Sequence, residues 1–356
     1  MHEDPISVLD LFAGAGGLTA GFHEASPRFR TVQAVEMDFA AAASYTATFG
    51  SGVVYAGPIQ KWLAEGRAPQ SVDVIVGGPP CQGFSTLGRQ DVQDERNALW
   101  ELYAQTIATV RPKYFVVENV AAFAKSPQFE AFSRAIGDGN LQDYSFEHRI
   151  LNAADYGAAQ VRKRAVMIGH RKDVAPPAFP TPTHSGRWVT VAEALSGVPV
   201  EATGVDLPPS RSYEFAGRSY AGSFSAEELH LGRTYSELSL KRFAHIPEGG
   251  NRFDIPHDLL APCWQRHTTG TADVMGRLRW DKPSVTIRTE FFKPEKGRYL
   301  HPVAPRALTH YEAALLQGFP STHRFVGSKT AIARQIGNAV PIPLAKAIAL
   351  ELERLL

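Results

Sequence analysis

Through about residue 170 the chain alternates short apolar runs with longer stretches of helical apolar spacing. The run 7–12 reads as a strand, ends in Ala13-Gly14-Ala15-Gly16-Gly17 and leads into a helix over 18–25. A second strand over 31–35 ends in Glu36-Met37-Asp38, and a helix over 40–49 and a strand near 53–55 follow. The run 72–76 is bounded by Gly and Pro, as a buried strand is, and passes into Gly77-Gly78-Pro79-Pro80-Cys81-Gln82-Gly83-Phe84-Ser85. Residues 97–110 carry helical spacing. The apolar run 113–117 ends in Glu118-Asn119-Val120, and a further strand spans 165–168. This order predicts an α/β protein with a doubly wound, mostly parallel sheet.

From Pro176 the texture changes. Prolines at 176, 177, 180, 182, 199, 208 and 209 break the pattern, and no long periodic segment returns before the C-terminus. Residues 176–300 are therefore expected to form a second, smaller, irregular domain rich in loops. Residues 301–356 return to the pattern of the N-terminal region and should complete the first domain, 1–175. There, Thr309 and Glu312 have the spacing of a capping box at the head of a helix ending near Gln317, and a closing helix is expected over 343–355.

The chemistry falls at the strand ends, where open α/β sheets bind their ligands. A glycine-rich turn between strand and helix lets a ligand approach backbone N–H groups at a helix N-terminus. Glu36 lies 20 residues past Gly16, the offset at which such an acid reaches a ribose hydroxyl pair. Thr19 stands where a nicotinamide fingerprint would carry Gly or Ala, which counts against an oxidoreductase; Asp10 and the short loop suit a ligand with an amine and no pyrophosphate. Cys81 is presented just past a strand end on a rigid Pro-Pro turn, a setting that favours a reactive thiolate over a small buried thiol. Glu118, directly after an apolar run, is costly unless paired or used. Gln160, Arg162 and Arg164 alternate and would share one side of an extended segment, as a basic edge or as a clamp for an anionic or carbonyl group.

Composition narrows the class. The 356 residues are 44% apolar and 21% charged, no run of 18 apolar residues is present, and the start Met1-His2-Glu3-Asp4-Pro5 shows no signal peptide. Two cysteines, Cys81 and Cys263, are too few for a disulfide framework and point to a reducing cytoplasm; Cys263 is read as structural. The histidines at 184, 230, 245, 257 and 267 lack metal-ligand spacing and have no assigned role. Residues 1–150 carry 11 basic and 17 acidic groups and residues 151–356 carry 26 and 19, a division that suits a small-molecule domain joined to a polyanion-binding one.

With these motifs in order, the chain resembles the bacterial-type DNA (cytosine-5) methyltransferases over nearly its whole length. Residues 10–17 resemble the family's first, S-adenosylmethionine-binding motif, Gly78 to Ser85 its catalytic loop, Glu118-Asn119-Val120 its base-contacting motif, and Gln160-x-Arg162-x-Arg164 its Q-x-R-x-R. Arg306, Thr309, Glu312 and Gln317-Gly318-Phe319-Pro320 resemble its ninth motif and residues 335–341 its tenth. The resemblance implies Cys81 as nucleophile, Glu118 on the target base, Arg164 on the base O2, and Arg162 steadying the site or a phosphate. It implies cofactor contacts from Asp10, Phe12, Ala13, Gly14, Gly16, Gly17, Glu36, Met37, Pro79, Leu99, Asn338 and Ala339. Double-stranded DNA is the implied substrate, read by 176–300. Gly83-Phe84-Ser85 and the loop after it, through about Gln93, are expected to form a lid over the flipped base. A monomer is the default for a protein that works one base at a time, and a cognate restriction endonuclease, where one accompanies the protein, would act separately. Pro58 departs from the family, which usually has an acid reaching the adenine amine there. An RNA cytosine-5 methyltransferase and a catalytically silent DNA-binding relative remain alternatives.

Overall fold

The computed structural model describes residues 4–80, 99–137, 139–266 and 269–356. Cys81, the expected lid through Gln93, Asn97 and His267 lie outside the described residues. Seven strands form one sheet: β1 (Ile6–Leu11), β2 (Phe29–Glu36), β3 (Val54–Ala56), β4 (Val74–Gly77), β5 (Tyr114–Val120), β6 (Tyr144–Asn152) and β7 (Lys163–Arg171). Their spatial order is β3-β2-β1-β4-β5-β7-β6. The pairs among β1 to β5 are parallel, whereas β7 runs antiparallel to both β5 and β6. Only a short 3₁₀ turn, Ala153–Tyr156, intervenes between β6 and β7. A parallel return needs a crossover of a dozen or more residues, so this pair closes as an antiparallel ladder.

Helices α1 (Gly17–Ala25), α2 (Phe39–Phe49), α3 (Ile59–Ala64), α4 (Leu99–Val110) and α5 (Pro127–Gly137) accompany the strands. Side chains alternate across the sheet. Ile6, Val8, Val74, Val76, Val116 and Val166 enter one core, and Leu9, Leu11, Ile75, Phe115, Val117 and Met167 enter the other. The second core adds Trp100, Tyr103 and Phe132 from α4 and α5, with Trp100 stacked on Phe123 at 4.0 Å. The first is closed by the chain's C-terminal helix. An added Cβ at Gly21 of α1 would lie 2.4 Å from the Ala345 Cβ and 2.8 Å from the Ile342 carbonyl oxygen, so no larger residue fits between the two helices.

Between β7 and the C-terminal helices the described residues form only short elements. These are α6 (Val191–Ala194), β8 (Ser212–Phe215), β9 (Arg218–Ala221), β10 (Phe224–Ser225), α7 (Glu237–Ala244) and α8 (Pro262–Arg266). Two apolar clusters carry this stretch. One, with Val191, Phe224, Leu278, Ile287 and Phe291, is continuous with Leu316, Ile332 and Ile336. The other is a small satellite of Phe243, Ile246, Ile255, Met275 and Leu300. Without ladders to satisfy the backbone, arginines do so. Buried Arg277 donates to the carbonyls of Phe243, Ile246, His301 and Ala304 at 2.6–2.8 Å, and Arg298 to those of Gly249, Gly250, Ala272 and Arg277. Burying a carbonyl without a partner is costly, and a guanidinium with five N–H groups answers several at once.

The chain ends with α9 (His310–Gln317), β11 (Arg324–Phe325), α10 (Lys329–Asn338) and α11 (Ile342–Glu353). Thr309 and Glu312 form the expected capping box on α9. The Glu312 carboxylate is completely buried and also takes a two-pronged bond from Arg306, at 2.8 and 2.7 Å. Burial opposes its charge, yet the Arg306 fork holds the carboxyl below its ordinary range. Removing one member of such a pair leaves the other charge buried alone. Glu312→Ala should lower folding stability by about 3–5 kcal/mol, read as the shift of the urea unfolding midpoint. An unchanged midpoint would show the pair to be dispensable.

Candidate active site at the carboxyl ends of the strands

Two clusters lie side by side at the carboxyl edge of the sheet. The first is the turn after β1. Phe12, Gly14 and Gly16 have φ of 58°, 56° and 89°, and only glycine adopts that region freely. The turn is fastened to the next strand: Ala13 N–H donates to the Val35 carbonyl at 3.1 Å, and Gly14 N–H to Glu36 Oε2 at 2.8 Å. The other oxygen of Glu36 accepts from Asp38 N–H at 2.6 Å, while burial pushes the carboxyl above its ordinary range. Beside it Met37 is 61% exposed, an apolar side chain left to the edge, and Asp38 caps α2. Apart from Gly14 itself and its two chain neighbours, no atom of the described residues lies within 4 Å of where a Cβ on Gly14 would be. Open space over a glycine turn, next to a half-buried acid and an exposed apolar side chain, fits a nucleoside ligand.

Distant parts of the chain complete this cluster. The backbone of α1 at Gly17 comes so close to residues 339 and 340 that an added Cβ would stand 3.0 Å from the Val340 oxygen and 3.2 Å from the Ala339 Cβ. Asn338 is the exposed last residue of α10. Leu99 opens α4 and is buried. Pro58 precedes α3, and Gly57 N–H donates to the Glu36 carbonyl at 2.9 Å, so the end of β3 is tied to the same acid.

Asp10 departs from the expectation that its carboxylate meets the ligand directly. It is wholly buried, and its Oδ2 accepts from the Thr19 hydroxyl at 2.7 Å; that hydroxyl also lies 2.8 Å from the Tyr45 hydroxyl. Oδ1 has no hydrogen-bond partner among the described residues. Burial, with Glu36 adding to it, pushes Asp10 up to about 7 against the opposing Thr19 bond. Thr19, read in the sequence only as a mismatch to a nicotinamide fingerprint, is thus the partner of the buried acid beneath the turn. A threonine in the first turn of the helix that follows a strand-end aspartate was the available signal for that pair.

The second cluster forms where β4 and β5 end. Glu118 is 8% exposed, and Arg164 Nε stands 2.7 Å from its Oε1. In the antiparallel ladder Arg164 faces Val120 and Glu118 faces Val166, so the ion pair is the diagonal one a long side chain can span. The turn after β4 lies against this pair: a Cβ on Gly78 would be 3.3 Å from both the backbone oxygen and Oε2 of Glu118. Asn119 Nδ2 donates to the Pro79 carbonyl at 2.8 Å, tying β5 to the segment that runs into Cys81.

Gln160 and Arg162 do not reach this edge. Gln160 is buried, donates to the Leu316 carbonyl and the Gln317 side chain, and accepts from Ile287 N–H. Arg162 is 3% exposed, with Nη1 on the Ile287 carbonyl at 2.7 Å and Nη2 on the Gly337 carbonyl at 3.0 Å. Burial, and then the charge of Arg164, lowers it to about 9. Its guanidinium faces backbone rather than the surface, so in this arrangement it braces the fold and does not meet a phosphate. Cys263, read as structural, is exposed on α8. His230 is a buried hydrogen-bonding residue between Thr309 and the Glu201 carbonyl.

A doubly wound sheet with a glycine turn after β1 and an acid ending β2 is the arrangement of nucleoside-binding α/β proteins, among them the methyltransferases that use S-adenosylmethionine as donor. The profile of the C-5 cytosine-specific DNA methylases matches residues 6–354, and the chain belongs to that family: it is a DNA (cytosine-5) methyltransferase. It is 33% identical over 351 residues to the Type II methyltransferase M1.HphI of Haemophilus parahaemolyticus, covering 97% of this chain and 86% of that one. To M.XorII of Xanthomonas oryzae pv. oryzae it is 33% identical over 374 residues, covering 97% and 83%. Among solved structures, a protein described as a DNA modification methyltransferase encoded within a prophage (E. coli) superimposes with a TM-score of 0.72 at 25% identity, covering 98% and 99% of the two chains.

The buried Asp10 makes stability depend on pH. Its folded value of about 7 exceeds the ordinary 3.8, so between these limits the native state keeps a proton that the unfolded chain has released. The contribution favours folding at acid pH and is lost as pH rises through about 7. Asp10→Asn should therefore gain stability relative to the wild type from pH 4 to 8, by roughly 4 kcal/mol at most, since each tenfold change in proton affinity is equivalent to about 1.36 kcal/mol. Urea unfolding across that range measures it, and parallel curves for the two proteins would refute it.

Proposed function

We propose that the protein methylates C5 of a cytosine flipped out of a short, specific duplex DNA sequence, with Cys81 as the covalent nucleophile and S-adenosylmethionine as the donor. What supports this reading is the placement of the Glu118–Arg164 pair against the turn that leads into Cys81, one strand away from the Gly14–Glu36 cluster. A cytosine C5 is a weak nucleophile because its ring is electron-poor. Addition of the Cys81 thiolate to C6 breaks the C5–C6 double bond and moves electron density to C5, with N3 taking up a proton. Glu118 is the group for N3, acting as acid or strong donor, and Arg164 is the group for O2. After methylation, which releases S-adenosylhomocysteine, C5 gives its proton to a base or water, the double bond re-forms, N3 returns its proton to Glu118 and Cys81 leaves as thiolate, so the enzyme is regenerated and one proton is released per methyl transferred.

For the cofactor, Glu36 would take the ribose hydroxyls, Met37 the adenine face, and the turn from Phe12 to Gly17 with Pro79, Leu99, Asn338 and Ala339 the remaining wall. Asp10 would act from beneath the turn through Thr19. When bound, S-adenosylmethionine supplies an electrophilic methyl carbon on a sulfonium. The target base is stacked inside duplex DNA and must be swung out, which costs a few kcal/mol. Residues 83–93 are the segment proposed to close over it, and 176–300 the part proposed to read the site. The Type II names of the relatives support a place in a restriction-modification system, with the endonuclease a separate protein. A monomer suffices for one base at a time.

Expressed in a host without cytosine methylation, the wild type should leave 5-methylcytosine at one short motif, read at base resolution. Cys81→Ala should leave none while still binding S-adenosylmethionine. Glu118→Gln should lower kcat by about 10²–10⁴-fold. Unmethylated DNA from a soluble, cofactor-binding wild type would overturn the reading.

A further inference from the structure

The glycine turn after β1 holds a shape the backbone does not choose by itself, with positive φ at Phe12, Gly14 and Gly16. Such a turn persists only where its surroundings fix it. Its first half is tied to β2 through Ala13 and Gly14. The peptide between Ala15 and Gly16 is tied at both ends. Gly16 N–H donates to the Ala13 carbonyl at 2.9 Å, and the Ala15 carbonyl accepts from His323 Nε2 at 3.0 Å. A carbonyl can only accept, so His323 is the tautomer with its proton on Nε2. His323 lies 308 residues further along the chain and is 1% exposed.

The ring is held as firmly as the carbonyl it meets. It packs on Phe319 and Phe325 with centroids 4.6 and 4.9 Å away, and on Phe49 at 5.9 Å. Phe49 presses on the turn as well, since an added Cβ at Gly16 would stand 2.3 Å from its ring. In this apolar setting burial lowers His323 to about 4, against the opposing bond to Ala15, so the imidazole is neutral at ordinary pH. Its backbone is fixed by the stretch before α7. Ala226 N–H donates to the His323 carbonyl at 2.8 Å, Glu227 N–H to the Ser321 carbonyl at 3.2 Å, and Phe224 pairs with Phe325 between β10 and β11. From the other side, Thr48 and Ser44 of α2 hydrogen-bond Arg324 and Val326. One side chain of this doubly braced segment thus reaches the glycine turn.

We propose that His323 is a positioning residue for the S-adenosylmethionine site, its Nε2–H holding the Ala15–Gly16 peptide in the orientation that the turn presents to the cofactor. The inference rests on the reading of the glycine turn as the cofactor site. Without this donor the buried Ala15 carbonyl would be left unpaired, and the peptide would gain by turning over to find another partner. A turn already set before the ligand arrives loses less freedom on binding, so the hydrogen bond contributes to affinity although the imidazole need not touch the ligand.

The test is the affinity of S-adenosylhomocysteine, measured by titration calorimetry, for wild type, His323→Phe, His323→Asn and His323→Gln. Phenylalanine fills the space of the ring without a donor. An asparagine amide ends at the position of Nδ1, short of Ala15, whereas a glutamine amide reaches the position of Nε2. His323→Phe and His323→Asn should bind about tenfold more weakly, the equivalent of one buried carbonyl left without its partner, and His323→Gln should stay within about threefold of the wild type. A purely structural role would shift the urea unfolding midpoint and leave the affinity of the folded protein alone. Wild-type affinity in a folded His323→Phe or His323→Asn protein would overturn the assignment, and so would a glutamine variant as weak as the asparagine one. The asparagine and glutamine pair carries the test by itself where the phenylalanine variant does not fold. A wild type that binds neither S-adenosylmethionine nor S-adenosylhomocysteine would sink the reading of the turn as the cofactor site instead, so the two failures are distinguishable.

Discussion

The structure depends most on one buried polar node, built on Gln160 and Arg162. From the approach to β7 they reach the Ile287 backbone, the Leu316 carbonyl and Gln317 side chain of α9, and the Gly337 carbonyl of α10. Gln317 extends the node by donating to the Ile336 carbonyl at 2.6 Å. Four segments far apart in sequence are thereby locked behind the carboxyl edge of the sheet. Burying a guanidinium is costly, and the cost is offset here because each Nη meets a carbonyl that would otherwise be unpaired. With the node in place, Gly337 can press on residues 288 and 289, and residues 339 and 340 can lie against the glycine turn.

Charge at the strand ends is graded by depth. Asp10, deepest, faces hydroxyls and is raised by burial. Glu36, half-buried, is held by two backbone N–H groups. Glu118 is met by a guanidinium beside the turn that precedes Cys81. Three carboxyl groups of the same chemical type are thus set in different environments by their partners: hydroxyls, backbone N–H groups and a guanidinium.

The stretch from β7 to α9 solves a different problem. It has little ladder structure, so its carbonyls are gathered by Arg277 and Arg298 around a small apolar satellite. The positive balance of the second half of the chain, which in sequence suggests a polyanion partner, is therefore partly internal. Only the exposed remainder is available to a ligand, and charge counts cannot separate the two sets.

Much of this protein was legible in local order. Short apolar runs bounded by Gly and Pro marked the strands, because in a sheet covered on both faces successive side chains enter one core or the other. Glycines after β1 marked the turn because its positive φ values exclude most side chains. Thr309 and Glu312 marked the start of α9 because both partners of a capping box lie within one turn. Motif order singled out Glu36, Glu118 and Arg164, and the structure sets all three at the carboxyl edge of the sheet. What only the tertiary structure decided depends on partners distant in sequence. The antiparallel β6–β7 ladder, the fit of Gly21 against Ala345, the inward turn of Arg162 and the pairing of Asp10 with Thr19 beneath the glycine turn are of this kind. A sequence pattern records which residues can be buried or charged; which carbonyl or hydroxyl each one meets is settled only when the segments pack.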